Sequence, residues 1–199
     1  MYNDIWPTGT WSVVDYYLDK KPAYYAMKRS FAPQMLALLR VDDDYYLCCV
    51  NDNSASLEMT VAVSVCRYDG TALWQTEIPV KVAGGDRLMH KLPQECVQGD
   101  YLLAVAEDKP GMRDIYHLGR YREQSVDPKY SVSVEPTEGG ALVHLQACSF
   151  VPCVKLYGGD GALYEDNFFD MAAGETRTVR ITGGTSRIEV VTFADTWEH

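Results

Sequence analysis

The chain has 199 residues with 47% hydrophobic content and a net charge of −10, from 18 Lys and Arg against 28 Asp and Glu. Length and composition suit a soluble globular protein of two small domains, and no apolar run approaches the roughly 18 residues that cross a bilayer, which excludes membrane insertion by a helix. The acid excess lies beyond residue 33 and repels phosphate backbones and anionic lipid, so nucleic acid and membrane surfaces are not expected partners, while neutral sugars stay compatible.

The first segment reads as strand, loop and helix: Asn3-Asp4-Ile5-Trp6-Pro7, then Trp11-Ser12-Val13-Val14-Asp15-Tyr16-Tyr17, then Lys21-Pro22-Ala23-Tyr24-Tyr25-Ala26-Met27-Lys28-Arg29-Ser30-Phe31-Ala32-Pro33. Asp19 is placed to cap the helix, with Pro22 in the first turn where its missing N–H costs nothing. Tyr24, Met27 and Phe31 recur at helical spacing as its apolar stripe. From Gln34 the period changes to two. Leu57, Met59, Val61, Val63 and Val65 alternate with Glu58, Thr60, Ala62, Ser64 and Cys66, the pattern of an antiparallel strand with one face in a core. Further strands are expected at 35–41, 45–50, 72–82, 88–92, 101–106, 130–135, 141–148, 153–157, 176–181 and 188–193. Short strands at this spacing, broken by Gly and Asp, indicate sandwiches. The two halves echo each other, because Asp69-Gly70 precedes Leu73-Trp74 and Asp160-Gly161 precedes Leu163-Tyr164, each an Asp-Gly hairpin leading into an aromatic strand. A proline between strand patterns, in Val126-Asp127-Pro128-Lys129, marks the boundary between them.

The opening segment resembles family 2 glycoside hydrolases, most closely the β-mannosidase branch, in which the last strand of the catalytic (β/α)8 barrel ends in a Trp-Pro loop and leads into the final barrel helix. Beyond it come Asn51-Asp52 closing a strand, the Asp69-Gly70 hairpin, and Glu165-Asp166-Asn167-Phe168-Phe169-Asp170 followed by Gly174-Glu175. That order is similar to the two small sandwiches that follow the barrel in this branch. The resemblance implies a mainly β chain of two immunoglobulin-like β-sandwich domains, at 34–127 and 128–199, preceded at 1–33 by a strand-loop-helix remnant of the barrel. It implies the non-catalytic C-terminal domains of a retaining glycosidase, inactive alone, that buttress a barrel acting on carbohydrate. The barrel itself takes roughly 250 residues and does not fit in this length. An autonomous carbohydrate-binding or protein-interaction module is the alternative. The helix stripe calls for cover, from the first sandwich or from a second copy of the chain. No basic, apolar leader opens the sequence, so compartment is not readable from it; a signal peptide on the whole enzyme would make it periplasmic or extracellular.

A retaining glycosidase needs two carboxylates roughly 5 Å apart, which the family takes from earlier barrel strands. Glu58, Glu77, Glu107, Glu165 and Glu175 therefore read as solvated, and no catalytic residue is assigned. By the resemblance, Trp6 belongs to the wall beside the bound sugar in the whole enzyme, with Asn3 and Asp4 ordering the same loop. Trp11, Tyr16 and Tyr17 are expected to anchor the loop and helix against the adjacent sandwich. Trp74, Tyr164, Phe168, Phe169 and Trp197 are expected in cores rather than on an exposed sugar platform. His90, His117 and His144 share no ligand spacing, His199 is terminal, and three consecutive side chains at Asp42-Asp43-Asp44 do not converge on calcium, so no metal or other cofactor is implied. The cysteines, at 48, 49, 66, 96, 148 and 153, form no CxxC and read as free buried thiols. Adjacent Cys48 and Cys49 point to opposite faces of a strand, and Cys148–Cys153 is the one disulfide considered.

Overall fold

Alternating apolar residues dominate from residue 34 onward and produce an almost entirely antiparallel β structure. The computed structural model describes residues 2–7, 9–119, 126–159, 161–184 and 187–196. Trp197, His199, Asp160 of the second Asp-Gly pair and the side chain of Cys96 lie outside the described residues. One α-helix, α1 (Pro22–Ser30), precedes the strands.

In the first half, β1 (Gln34–Val41), β2 (Asp44–Asn51) and β5 (Asp86–Lys91) form one sheet in the order β1-β2-β5. A second sheet has β3 (Leu57–Cys66), β4 (Ala72–Val82), β6 (Tyr101–Ala106) and β7 (Lys109–His117) in the order β4-β3-β6-β7. The period-two strand supplies the core as its pattern dictates: Leu57, Met59, Val61, Val63 and Val65 are all buried, and they meet Leu36, Leu38, Leu47 and Cys49 of the facing sheet. Each such side chain contributes roughly 1.5–3 kcal/mol by leaving water. Cys48 is buried as well, on the opposite face of β2. At the β3–β4 hairpin Gly70 takes a φ of 97°, and Asp69 Oδ1 accepts the Thr71 N–H at 2.8 Å, so the Asp-Gly pair does the turn chemistry its sequence predicts. Pro79 is accommodated because β4 is an edge strand. In the β1–β2 turn Asp42 has a φ of 55°, while Asp43 pairs with Arg40 at 3.1 Å and Asp44 with Lys91 at 2.5 Å.

The second half repeats the plan. One sheet runs β11-β13-β9-β8, from β8 (Tyr130–Thr137), β9 (Gly140–Ala147), β11 (Leu163–Tyr164) and β13 (Thr176–Thr182). Opposite it, β10 (Val151–Tyr157) is flanked by β12 (Phe169–Met171) and β14 (Glu189–Val191). Val143, Leu145, Val151, Val154, Leu156, Phe169, Met171, Val179 and Ile181 form its core. Two strands are not expected from the sequence, namely β7 and β12, while the aromatic strand expected at Leu163-Tyr164 forms as β11 and the strand expected over 188–193 shortens to Glu189–Val191 and gives way to a 3-10 turn at Phe193–Thr196. β10 starts two residues early and carries Pro152. A bulge between Val151 and Val154 absorbs it, leaving Cys153 at a φ of 44°, a left-handed conformation that costs energy for a residue with a Cβ.

A third apolar cluster joins the halves. Phe150 and Tyr101 are buried with Cys66 and Ala172. The Phe150 ring lies 4.8 Å from Tyr101, 4.9 Å from Tyr68 and, edge-on, 5.5 Å from His117. Among the described residues no helix is long and apolar enough to cross a membrane.

Candidate functional site

Residues 2–21 double back on themselves. Asn3 bridges Val14 and Val14 bridges Lys20, with Asp4 N–H donating to Val14 O and Val14 N–H to Tyr2 O, each at 3.0 Å. The Asp4 carboxylate is buried inside this loop. Its Oδ1 accepts the Thr10 and Ser12 hydroxyls, and its Oδ2 lies 2.7 Å from Lys21 Nζ. Hydrogen bonding from the Lys21 ammonium, with the two hydroxyls, holds the Asp4 carboxyl down at about 2. Asn3 is half-buried, its Nδ2 donating to Asp4 O at 3.3 Å. Trp6 is 70% exposed beside an equally open Ile5. The loop therefore holds Trp6 outward on a base built from Asp4, Ser12 and Lys21.

The expected anchors of this segment are not the real ones. Trp11 is 99% exposed and Tyr16 and Tyr17 also face solvent, and Leu18 follows in a left-handed turn with a φ of 70°. Val14 and Tyr25 are buried in their place. On α1 the stripe Tyr24, Met27, Phe31 is likewise displaced: Met27 and Phe31 are exposed, and Tyr25 is the buried side chain. Asp19 does not cap the helix; its N–H is taken by Asp15 Oδ1 at 2.8 Å, and Lys21 stands at the N-cap without a side-chain bond.

The reason for the displacement is where the helix docks. It leans on the second half of the chain, not the first: Lys28 Nζ donates to Glu165 O at 2.5 Å, and Arg29 donates to Asp166 Oδ1 at 2.6 Å and to the carbonyls of Asn167 and Phe168 at 3.2 and 3.0 Å. Phe168, at a φ of 52°, stands 5.9 Å ring to ring from Tyr25. Those carbonyls face the basic last turn of α1, where cations also complement the helix dipole.

Around this contact the two halves and the helix share a polar junction beside a cleft of about 510 Å³. Asp166 bridges two cations, with Arg177 on its Oδ2 at 2.6 Å. The Arg177 guanidinium sits 3.9 Å from the Phe169 ring centroid, and burial, reinforced by Arg113, pushes it below its ordinary basicity. From β7, Arg113 pairs with Glu175 at 3.0 Å and donates to Asp170 O. His117 Nε2 lies 2.9 Å from Asp170 Oδ2, and its Nδ1 lies 3.3 Å from the Tyr68 hydroxyl. Asp170 Oδ1 accepts the Cys153 N–H at 2.7 Å, the donor the β10 bulge removes from its ladder. Asn167 completes the motif by exchanging side-chain bonds with Leu156 N–H and O at 2.7 and 2.9 Å. The chemistry available here is charge pairing that fixes orientation. Sequence reading passed over it, although the signal was present: the motif 165–170 carries two aspartates, and Lys28-Arg29 ends the helix.

The other candidates stay apart. Glu58, Glu77, Glu107 and Glu165 are exposed on separate strands and turns, whereas Glu175 is half-buried against Arg113 rather than solvated. Trp74 packs on the first core, Tyr164 on the second, Phe169 is buried, and Phe168 is half-buried under α1. Cys148 and Cys153 are free thiols, the first exposed.

The mannosidase Ig-fold domain family matches residues 125–196. Among curated relatives, the chain is 44% identical over 204 aligned positions to β-mannosidase B of Emericella nidulans, covering 91% of this chain and 24% of that protein. The chain thus spans about a quarter of the length of this relative. Its fold is similar to that of the β-D-mannosidase of Dictyoglomus thermophilum, with a TM-score of 0.82 at 20% identity over 96% of this chain and 25% of the other. The exo-chitosanase of Amycolatopsis orientalis is similar at a TM-score of 0.68 and 18% identity, over 96% and 30%.

Proposed function

We propose, from the premise that this chain is a β-mannosidase-like C-terminal portion of a family 2 glycoside hydrolase, that it is the non-catalytic part of the enzyme and buttresses the catalytic barrel. In this reading the strand-loop-helix at 1–33 completes the barrel, and two immunoglobulin-like sandwiches meeting near 127–128 brace it. The observation that carries it is an imbalance of cover. The two cores are covered within the chain, yet Ile5, Trp6, Trp11 and Phe31 of the first segment are exposed. A soluble surface does not normally concentrate so much apolar area without a partner, and a barrel of the same polypeptide is the partner of choice, ahead of a second copy of the chain.

The α1 junction supports the same role, since Arg29 ties the first segment to Asp166 of the second half, which Arg177 shares, and Arg113 ties the first half to Asp170 and Glu175 of the second. In the whole enzyme Trp6 lines the sugar-binding wall, Asn3 and Asp4 set its loop, and the reaction is hydrolysis of a terminal β-linked sugar with retention, by glutamates outside this chain. The 199-residue chain alone is expected not to hydrolyse an aryl β-mannoside. Joined to its barrel, a Trp6→Ala enzyme should lose tenfold or more in kcat/KM with its thermal midpoint unchanged. Heat-labile hydrolysis by the chain alone, or full activity in the Trp6→Ala enzyme, would contradict the reading.

A further inference from the structure

A second cleft, of about 520 Å³, opens between residues 15–21 and the β10–β11 region of the second half. Its volume is that of an ordinary small-molecule site. Tyr157 and Tyr17 on its lining are 49% and 73% exposed, so aromatic surface stands in solvent there. Lys155 Nζ lies between two rings, 6.0 Å from the Tyr157 centroid and 5.9 Å from that of Phe168. The Tyr164 hydroxyl accepts the Gly158 N–H at 2.6 Å, which fixes its ring and keeps its own proton to donate. Asp19 is held in place through its backbone, with Asp15 Oδ1 on its N–H at 2.8 Å and its carbonyl accepting the Asp15 N–H at 2.9 Å. Its negative charge reaches the hydroxyls of Tyr164 and Tyr25, both already raised mainly by burial.

We propose that this cleft binds a pyranose unit of a neutral oligosaccharide. A sugar ring offers C–H faces and a rim of hydroxyls, and the lining answers both. Tyr157 and Tyr17 supply flat apolar surface, the Asp19 carboxylate accepts from neighbouring hydroxyls, and Lys155 and the Tyr164 O–H donate. The lining carries both signs, Asp15 and Asp19 beside Lys20, Lys21 and Lys155, so it matches no ligand of a single strong charge throughout, and a purely apolar ligand would cover Asp19 and Lys155 without offering them partners. The choice of sugar among neutral polar ligands rests on the glycosidase reading above. The site is distinct from the Trp6 wall, and none of the aromatics expected from the sequence to face sugar forms its open surface.

The test is a titration of the 199-residue chain with β-1,4-mannotriose, chitotriose and a trigalacturonate, followed by backbone amide NMR. Saturable shifts are expected around Tyr17, Asp19 and Tyr157 with at least one neutral trisaccharide. Tyr157→Ala and Asp19→Ala, both at exposed side chains, should each weaken that binding at least tenfold while leaving the thermal midpoint in place. No saturable shift with either neutral sugar, shifts centred elsewhere, undiminished binding by both variants, or tighter binding of trigalacturonate would each overturn the proposal. Such a failure leaves the barrel-docking reading standing, because that reading concerns the 2–13 surface and is measured without sugar.

Discussion

Replacing Asp166 by Ala should loosen the helix and the second half together. Asp166 presents one carboxylate oxygen to Arg29 and the other to Arg177, each at 2.6 Å, with its own side chain 16% exposed against 24% for Arg177 and 40% for Arg29. A hydrogen bond to a charged group contributes roughly 1.5–3 kcal/mol when it is desolvated, whereas a solvent-exposed ion pair contributes about 0–1 kcal/mol. The Arg177 arm falls toward the first range and the Arg29 arm toward the second, so Asp166→Ala should cost about 1.5–4 kcal/mol in total. Part of that cost is an Arg177 guanidinium left half-buried without its carboxylate. Arg29→Ala should cost only about 1 kcal/mol, and the double variant Asp166→Ala/Arg177→Ala should fall short of the sum of its single changes, because the two share one interaction. Urea unfolding at neutral pH, compared at constant slope, measures all of these. A loss under about 0.5 kcal/mol for Asp166→Ala, or equal losses for Asp166→Ala and Arg29→Ala, would refute the reasoning.

Other outcomes follow from the same structure. Val63→Asp places an unpaired charge in the first core and should cost several kcal/mol, while Ser64→Asp on the other face should be mild; similar urea midpoints for the two would show the register of β3 to be wrong. Asp114, whose carboxyl is raised by burial, accepts the Leu38 N–H at 2.7 Å. Asp114→Ala should cost about 1–3 kcal/mol, whereas Asp114→Asn keeps the acceptor, drops the buried charge and should unfold at or above the wild-type midpoint; a shared loss would contradict this. The Asp4 carboxyl sits at about 2 in the folded chain against an ordinary 3.8, so the loop is supported fully above the higher value and loses that support as pH falls through the lower one. Dispersed amide resonances of Asp4 and Val14 should collapse over that acidic window, and Lys21→Met should weaken them at neutral pH; a segment indifferent to both changes would sink the assignment.

What the sequence revealed and what it hid divide along a physical line. β3 was legible because its side chains answer only to two faces, one dry and one wet. β7 was not, since Lys109-Pro110-Gly111-Met112-Arg113-Asp114-Ile115-Tyr116-His117 shows no period. Its polar residues are paired with the other half and with β1, through Glu175, Asp170 and Leu38. Partners that far away in sequence leave no local pattern. The same holds for α1, where spacing singled out Tyr24, Met27 and Phe31 but the carbonyls of 165–168 drew Lys28 and Arg29 toward themselves and turned Tyr25 inward. At the N-terminal loop the involvement of Asp4 was expected only from a family pattern, and its network with Thr10, Ser12 and Lys21 required the chain to fold back.

The docking claim is tested most directly by amide hydrogen exchange on the isolated chain and on the same chain joined to its catalytic barrel. Residues 2–13 are predicted to exchange far more slowly in the joined protein, with the amides of β3, β6 and β9 unchanged. Equal exchange of 2–13 in the two proteins would contradict it, since the exposed Ile5, Trp6 and Trp11 would then have no barrel covering them.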